Sequence, residues 1–255
     1  MGEAQVNSQA AKFLESLAVE SSATRFNDNC SNCRLGAFCL PLALRHRELD
    51  ELERIVQRSQ PLQRGQHLFW ERDEFQAFYA VRSGSLKAYQ TSHEGHEQVT
   101  GFYFPGEILG FDGIGTNFHV SSAQALETAS VCTIPFDAFE DLSQEMPHLQ
   151  RHLMQLMSRE IAEDHQLIAL LSKATAEQRM SAFLIGLSSR RGRENLSATK
   201  FRLSMSRIEI SNYLGLTVET VSRILSRLHK QKILKVDKRE IEILQKDVLK
   251  ETAGF

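Results

Sequence analysis

The segment "PHLQRHLMQLMSREIAEDHQLIALLSK", residues 147–173, limits the folds open to this chain more than any other stretch. Within it Met154, Met157, Ile161, Asp164, Ile168 and Leu171 follow one another at spacings of 3, 4, 3, 4 and 3. That alternation is a heptad seam, the pattern of a long helix paired with a copy of itself or with another helix. Packing against a neighbouring domain is the alternative that spacing alone leaves open. Asp164 is the one seam residue unsuited to an apolar contact. In a parallel pair of identical helices its two copies approach across the symmetry axis. Carboxylates about 4 Å apart repel by roughly 1 kcal/mol in water and up to about 4 kcal/mol at an effective dielectric near 20. Pairing held marginal by this acid is the expectation; the alternative is an Asp164 turned to solvent.

Texture differs on the two sides of the seam. From Pro61 to Pro135 short β-type runs, "HLFW", "AFYAV", "SLKAYQT" and "QVTGFYF", are separated by turn signals at "RSGS", "HEGHE", "FPGE" and "GIGTN". Many short strands without intervening helices predict a small antiparallel roll or jelly roll. Ahead of it, "LALRHRELDELERIVQ" places Leu42, Leu49, Leu52 and Val56 on one helical face. Residues 1–29 are polar apart from Phe13, Leu14 and Leu17, and are expected to form a partly ordered lead-in. After the seam, "AEQRMSAFLIGLSSR" is amphipathic, with Met180, Phe183, Leu184 and Leu187 as its buried side. "SRIEISNYLGLTVETVSRILSRLHKQ" follows as helix, turn, helix, and "ILKVDKREIEIL" as a β-hairpin.

A chain of 255 residues accommodates two ordinary cores. No run of apolar residues is long enough for a membrane span, and the first thirty residues lack the basic start and apolar centre of a secretory signal. A reducing cytoplasm is therefore expected, where structural disulfides are disfavoured. The formal charge of −2 hides an asymmetry: residues 173–240 carry +9 and the remainder −11, with no Lys or Arg between Lys87 and Arg151. A basic block at one end of an acidic protein points to an anionic partner there, most commonly nucleic acid.

The basic block has the local chemistry of a DNA reader. Ser206 and Glu209 are spaced as a capping box, Gly215 suits a left-handed helix exit, and Thr217 caps the next helix. In that helix Val221, Leu225 and Leu228 share an inward face, while Glu219, Ser222, Arg223 and Arg227 project away. A glutamate accepts from cytosine N4, an arginine grips guanine O6 and N7, and a serine serves either role. The sequence "NYLGLTVETVSRILSRL" resembles the DNA-binding motif of the cyclic-AMP receptor/FNR family of bacterial regulators. The resemblance implies base contacts from Glu219, Ser222 and Arg223 to a half-site like TTGAT. It also makes residues 233–244 the wing, with Lys235, Lys238 and Arg239 as backbone contacts.

By that resemblance the fold class is α+β. Residues 1–41 form an N-terminal cluster-binding segment, and 42–146 a jelly-roll sensory domain of the cyclic-nucleotide-binding type. Residues 147–173 are a dimerisation helix, and 174–255 a winged helix-turn-helix domain. Cyclic AMP is not the expected effector: "PGEILGFDGIGTNFHVSSAQAL" keeps a Gly-Glu start, but residues 88–150 offer no cation for its phosphate.

Three of the four cysteines lie in "NCSNCRLGAFCLP" as C-x2-C-x5-C, and the fourth, Cys132, lies in "ETASVCTIP". Two thiolates three residues apart chelate one centre, and a third closes over it. Zinc, inert burial, redox chemistry and a four-thiolate iron–sulfur cluster are the candidates. Zinc's common signature has two C-x2-C pairs, and a redox pair belongs beside a βαβ unit, yet spacing alone does not place a cluster above zinc. Resemblance to FNR-type oxygen regulators implies that Cys30, Cys33, Cys39 and Cys132 hold one [4Fe–4S] cluster per subunit without oxygen. Arg34 beside Cys33 bears on how fast oxygen attacks it. The cluster is expected to favour the homodimer, through Met154, Met157, Ile161, Asp164, Ile168 and Leu171, and oxygen to return monomers. RNA polymerase is an implied partner, with "TSHEGHEQ", residues 91–98, as a candidate surface by family analogy. A family member with a small-molecule effector or structural zinc is the alternative. An enzyme finds no support, since no convergent acid–base set, phosphate-cradling loop or open metal motif is present.

Overall fold

The computed structural model describes residues 30, 33, 35, 39, 40, 44, 46–193 and 196–254. The lead-in around Phe13, Leu14 and Leu17, and also Arg34 and Leu42, lie outside the described residues. Helix α1 (His46–Ile55) precedes eight strands: β1 (Gln57–Arg58), β2 (His67–Phe69), β3 (Ala77–Ser83), β4 (Leu86–Thr91), β5 (Glu97–Tyr103), β6 (Ile108–Leu109), β7 (Ser122–Ala125) and β8 (Ser130–Pro135). They form two four-stranded sheets in the orders β1-β8-β3-β6 and β2-β7-β4-β5. Phe69, Val81, Leu86, Leu109, Ala123 and Val131 fill the space between the sheets.

Side chains on a strand alternate faces, and this alternation decides where Cys132 points. On β3, Val81 enters the inner core while Phe78 and Ala80 face the other way; on β8, Val131 goes inward while Cys132 and Ile134 face outward. That outer face is covered by α1, by α2 (Phe136–Glu145), and by the first turns of α3 (Pro147–Lys173). Leu52, Phe139, Leu142, Leu149 and Leu153 build this second core, and Leu40, Cys30 and Cys39 pack into it.

Helix α3 carries an apolar stripe that no described residue covers: Met154, Ile161 and Ile168 are 59%, 54% and 60% exposed. Met157, by contrast, packs against the second core. No helix among the described residues is long and apolar enough to cross a membrane.

The C-terminal unit comprises α4 (Ala176–Arg193), β9 (Lys200–Arg202), α5 (Arg207–Leu214), α6 (Val218–Lys230), β10 (Leu234–Asp237), β11 (Glu240–Ile243) and α7 (Lys246–Ala253). Its core gathers Met180, Leu184, Ile210, Leu214, Val221, Leu225, Leu228 and Leu249. The hairpin β10-β11 gains a third strand, β9, because Phe201 pairs with Ile241. This unit rests on the roll. Strand β5 is a sheet edge, and edge strands leave backbone groups unpaired. Asn212 of α5 supplies the missing partners: its Oδ1 accepts from the Val99 amide at 2.5 Å and its Nδ2 donates to the Glu97 carbonyl at 2.5 Å. Phe102 stacks obliquely on Tyr213, with ring centroids 5.0 Å apart, and seals the same junction.

Candidate functional site

The thiol pocket is assembled from three places in the chain. Cys30 and Cys33 lie on one turn, where the Cys33 amide donates to the Cys30 carbonyl at 3.4 Å, and the Cys39 amide donates to Leu35 at 3.0 Å. Cys132 arrives from the outer face of β8. All four sulfur-bearing residues line one cavity of about 30 Å³, with Leu35, Leu40, Leu52, Val56, Ala80 and Ile134 as its apolar wall. Cys30, Cys33 and Cys39 thus lie against the face of the roll that carries Cys132. All four are free thiols. Among the described residues no three His, Cys, Asp or Glu side chains stand close enough to hold a single metal ion.

Burial dominates the electrostatics. It pushes the Cys39 thiol up to about 12, and it raises Cys30, with Glu53 adding to the effect. Cys132 is raised by burial too, against the pull of Arg58 and Arg82. Glu53 of α1 accepts from the Cys30 amide at 2.7 Å and pairs with Arg58 at 2.6 Å. Although burial opposes its ionisation, bonds from Cys30 and Arg58 hold its carboxyl below the usual range. Arg58 is the residue opposite Cys132 in the β1-β8 register.

A second cavity, about 330 Å³, opens where the Gly106-Glu107 turn meets α3, α4 and Tyr213. The sequence window 88–150 holds no cation, but the fold imports two from outside it: Arg159 lines this cavity, and Arg190 pairs with Glu107 at 3.4 Å and Glu163 at 2.9 Å. Arg190 is thereby engaged by carboxylates. Glu160 on the same wall accepts from the Tyr103 hydroxyl at 2.7 Å, and burial raises its carboxyl to about 7, with Asp164 among the lesser contributors. Asp164 lines the cavity beside the exposed stripe, and its carboxyl is raised by burial and by Glu163. Ile168 is exposed and Leu171 half-buried farther along the helix.

At the basic end both caps form as spaced. Ser206 and Glu209 make the reciprocal capping box, and Gly215 takes the left-handed conformation at φ 61°. Thr217 caps α6 by accepting from the Thr220 amide at 3.2 Å. Glu219 and Arg223 are exposed and Ser222 half-buried on the outer side of α6, while Val221, Leu225 and Leu228 are buried. The helix's own N-terminal amide, then Thr217 and Arg223, hold the Glu219 carboxyl below its usual range, so it stands ready as an acceptor.

Comparison with known proteins agrees with this architecture at both ends. The family description "Cyclic nucleotide-binding domain" matches residues 59–146, and "Crp-like helix-turn-helix domain" matches residues 178–252. Over 226 residues the chain is 47% identical to the fumarate nitrate reduction regulatory protein of Klebsiella oxytoca, covering 89% of this chain and 90% of that one. It is 48% identical over 226 residues to the transcriptional activator protein Anr of Pseudomonas protegens, covering 89% and 93%. Among solved structures, FixK2 from Bradyrhizobium japonicum superposes with a TM-score of 0.71 at 27% identity, over 78% of this chain and 97% of that one.

The chain belongs to the CRP/FNR family of transcriptional regulators. Its relatives are regulators with a DNA-binding helix-turn-helix, not enzymes. Within this CRP/FNR fold, Cys30, Cys33, Cys39 and Cys132 line one cavity, and Glu219, Ser222 and Arg223 share one accessible helix side. The six seam residues do not share one environment: Met154, Ile161 and Ile168 are open, Met157 is part of the roll's outer core, and Asp164 borders the large cavity. Residue-by-residue reading missed Glu53, Arg58 and Arg82 around the thiols. Only the cation beside Cys132 had a signal, since buried thiolates need positive charge nearby, but nothing local in "QRSQ" or "VRSG" shows which strand lies against β8.

Proposed function

We propose that this protein is an oxygen-responsive regulator. Cys30, Cys33, Cys39 and Cys132 hold a [4Fe–4S] cluster in each subunit under anaerobic conditions, and the resulting homodimer binds a palindromic TTGAT-type site. The observation that carries this reading is the convergence of four free thiols, distant in sequence, on one apolar cavity. The relatives' names, which refer to fumarate and nitrate reduction, support it. The donor set suits the group: thiolate sulfur is the ligand of iron–sulfur clusters, and thiols buried this deeply give up their protons to a bound cation rather than to water. When bound, the cluster supplies a cationic core that oxygen oxidises.

The cavity has room for only one or two water molecules, so loading it moves the thiol-bearing residues apart. Their neighbours lie on the first turns of α3. Leu40 shares the outer core with Leu149 and Leu153, and the His152 ring nitrogen lies 3.4 Å from the Cys39 carbonyl oxygen. The adjoining face of that helix presents Met154, Ile161 and Ile168, which two subunits cover by pairing. Asp164 opposes the pairing through its own copy, so the association responds to a small bias. A paired regulator presents two α6 helices to two half-sites, and a monomer loses that avidity. Residues 91–98, all exposed, are assigned as the surface offered to RNA polymerase. The regulator acts in the cytoplasm, on an input other than cyclic AMP.

The test is purification under nitrogen, followed by gel-shift with a duplex bearing two TTGAT half-sites. A broad visible absorption and tight duplex binding, both lost in air and both absent in Cys132→Ala, are expected. Duplex binding indifferent to air and to Cys132→Ala would overturn the reading.

A further inference from the structure

We infer that Glu53 and Arg58 form a clip that holds the thiol-bearing N-terminal segment against the strand carrying Cys132, and are positioning residues for the cluster. The inference rests on the proposed cluster-binding role of the four cysteines. Three contacts in series make the clip. The Cys30 amide donates to Glu53 Oε2 at 2.7 Å, Glu53 Oε1 meets the Arg58 guanidinium at 2.6 Å, and Arg58 sits in register with Cys132 on the neighbouring strand. Glu53 is on α1 and Arg58 on β1, so one carboxylate joins the first cysteine, the helix and the sheet that supplies the fourth.

Both partners are partly shielded, with side chains 25% and 34% exposed. Hydrogen bonds to charged groups are the stronger kind, and partial shielding spares them much of the screening that surface pairs suffer. The clip also fixes a charge pattern. A guanidinium stands on the Cys132 side of the pocket and a carboxylate on the Cys30 side. A set of four thiolates is anionic, so Arg58 favours its loading and Glu53 positions it at an electrostatic cost. Second-layer contacts of this type orient ligands and tune the bound group.

The experiment compares wild type with Glu53→Gln, Glu53→Leu, Arg58→Met and the double variant Glu53→Leu/Arg58→Met. Two states are used: the cluster-free protein, and protein reconstituted under nitrogen with ferrous iron, sulfide and thiol reductant. In the cluster-free state, iodoacetamide labelling read by mass spectrometry should modify Cys30 about tenfold faster in Glu53→Leu and Arg58→Met. The double variant should be no faster than either single, because one series of contacts is broken once. In the reconstituted state, affinity for iron and sulfide should fall about 10–100-fold in the same variants. The midpoint potential, titrated with dithionite, should move down in Arg58→Met and up in Glu53→Gln. Opposite shifts report charge beside the cluster and are not produced by general loosening of α1. Thermal melting by circular dichroism confirms that each variant is folded.

Wild-type rates, affinities and potentials in every folded variant would overturn the clip. Wild-type protein that takes up no iron and sulfide would instead overturn the cluster reading and this role with it. Normal uptake by wild type with unchanged Cys30 labelling in Glu53→Leu separates failure of the clip from failure of that reading.

Discussion

Glu160→Gln is expected to remove a pH dependence from the stability of the cluster-free protein. Glu160 stands on α3 where the seam helix meets the roll, and accepts from the Tyr103 hydroxyl at 2.7 Å. Burial raises its carboxyl to about 7; the Tyr103 hydrogen bond opposes the rise, and Asp164, Asp112 and Glu163 add to it. Glu107, His152, Arg159, Arg190 and Tyr213 complete the charged and titratable lining of the same cavity. In an unfolded chain a glutamate titrates near 4.3. Between about 4.3 and 7 the folded protein therefore binds the extra proton, so stability falls as pH rises through that window and the loss is complete above it. The displacement corresponds to a loss on the order of 3 kcal/mol. Urea unfolding under reductant from about pH 5 to pH 8 measures it. Wild type should lose stability of that order relative to Glu160→Gln, with other titrating groups cancelling in the difference. Parallel pH profiles for the two proteins would refute the assignment of a proton to Glu160 in the folded state.

Three further outcomes are expected. Arg223→Ala should weaken binding to the palindromic duplex by roughly 1–3 kcal/mol and relax discrimination at one base pair, read by fluorescence anisotropy with single-base variants of the site. Asp164→Ala should remove a repulsion of roughly 1–4 kcal/mol between paired helices and give dimers without the cluster; sedimentation showing cluster-free monomers would discard the charge explanation. Asn212→Ala should uncap the β5 edge, so that hydrogen exchange at the Val99 amide speeds up about tenfold.

The roll and the helix-turn-helix were legible because their signals are local. The β-type runs "AFYAV" and "SLKAYQT" match β3 and β4, and Ser206, Glu209, Gly215 and Thr217 act within a few residues of themselves. Elements defined by distant partners were not. Strand β9 is three residues long and exists by pairing with β11. Helices α2 and α7 were unassigned, although Phe139 and Leu142 are spaced for a buried face. The thiols could be grouped, but the surroundings of the group could not. Arg58 reaches Cys132 through the β1-β8 register, and Glu53 reaches Cys30 through a helix lying between two cysteine-bearing parts of the chain. The cation count over residues 88–150 holds along the sequence, but for the same reason it could not foresee Arg159 and Arg190, which reach the cavity from helices beyond that window. Of the seam residues, Met154, Ile161 and Ile168 form an exposed stripe, whereas Met157 lies on its edge and is taken by the roll.

Iron content, acid-labile sulfide and subunit mass, measured on one anaerobic preparation before and after exposure to air, test the central claim most directly. The account predicts four irons and four sulfides per subunit in a dimer under nitrogen, and iron-poor monomers after air. A metal-free dimer, or a species whose mass and metal content do not change in air, would contradict it.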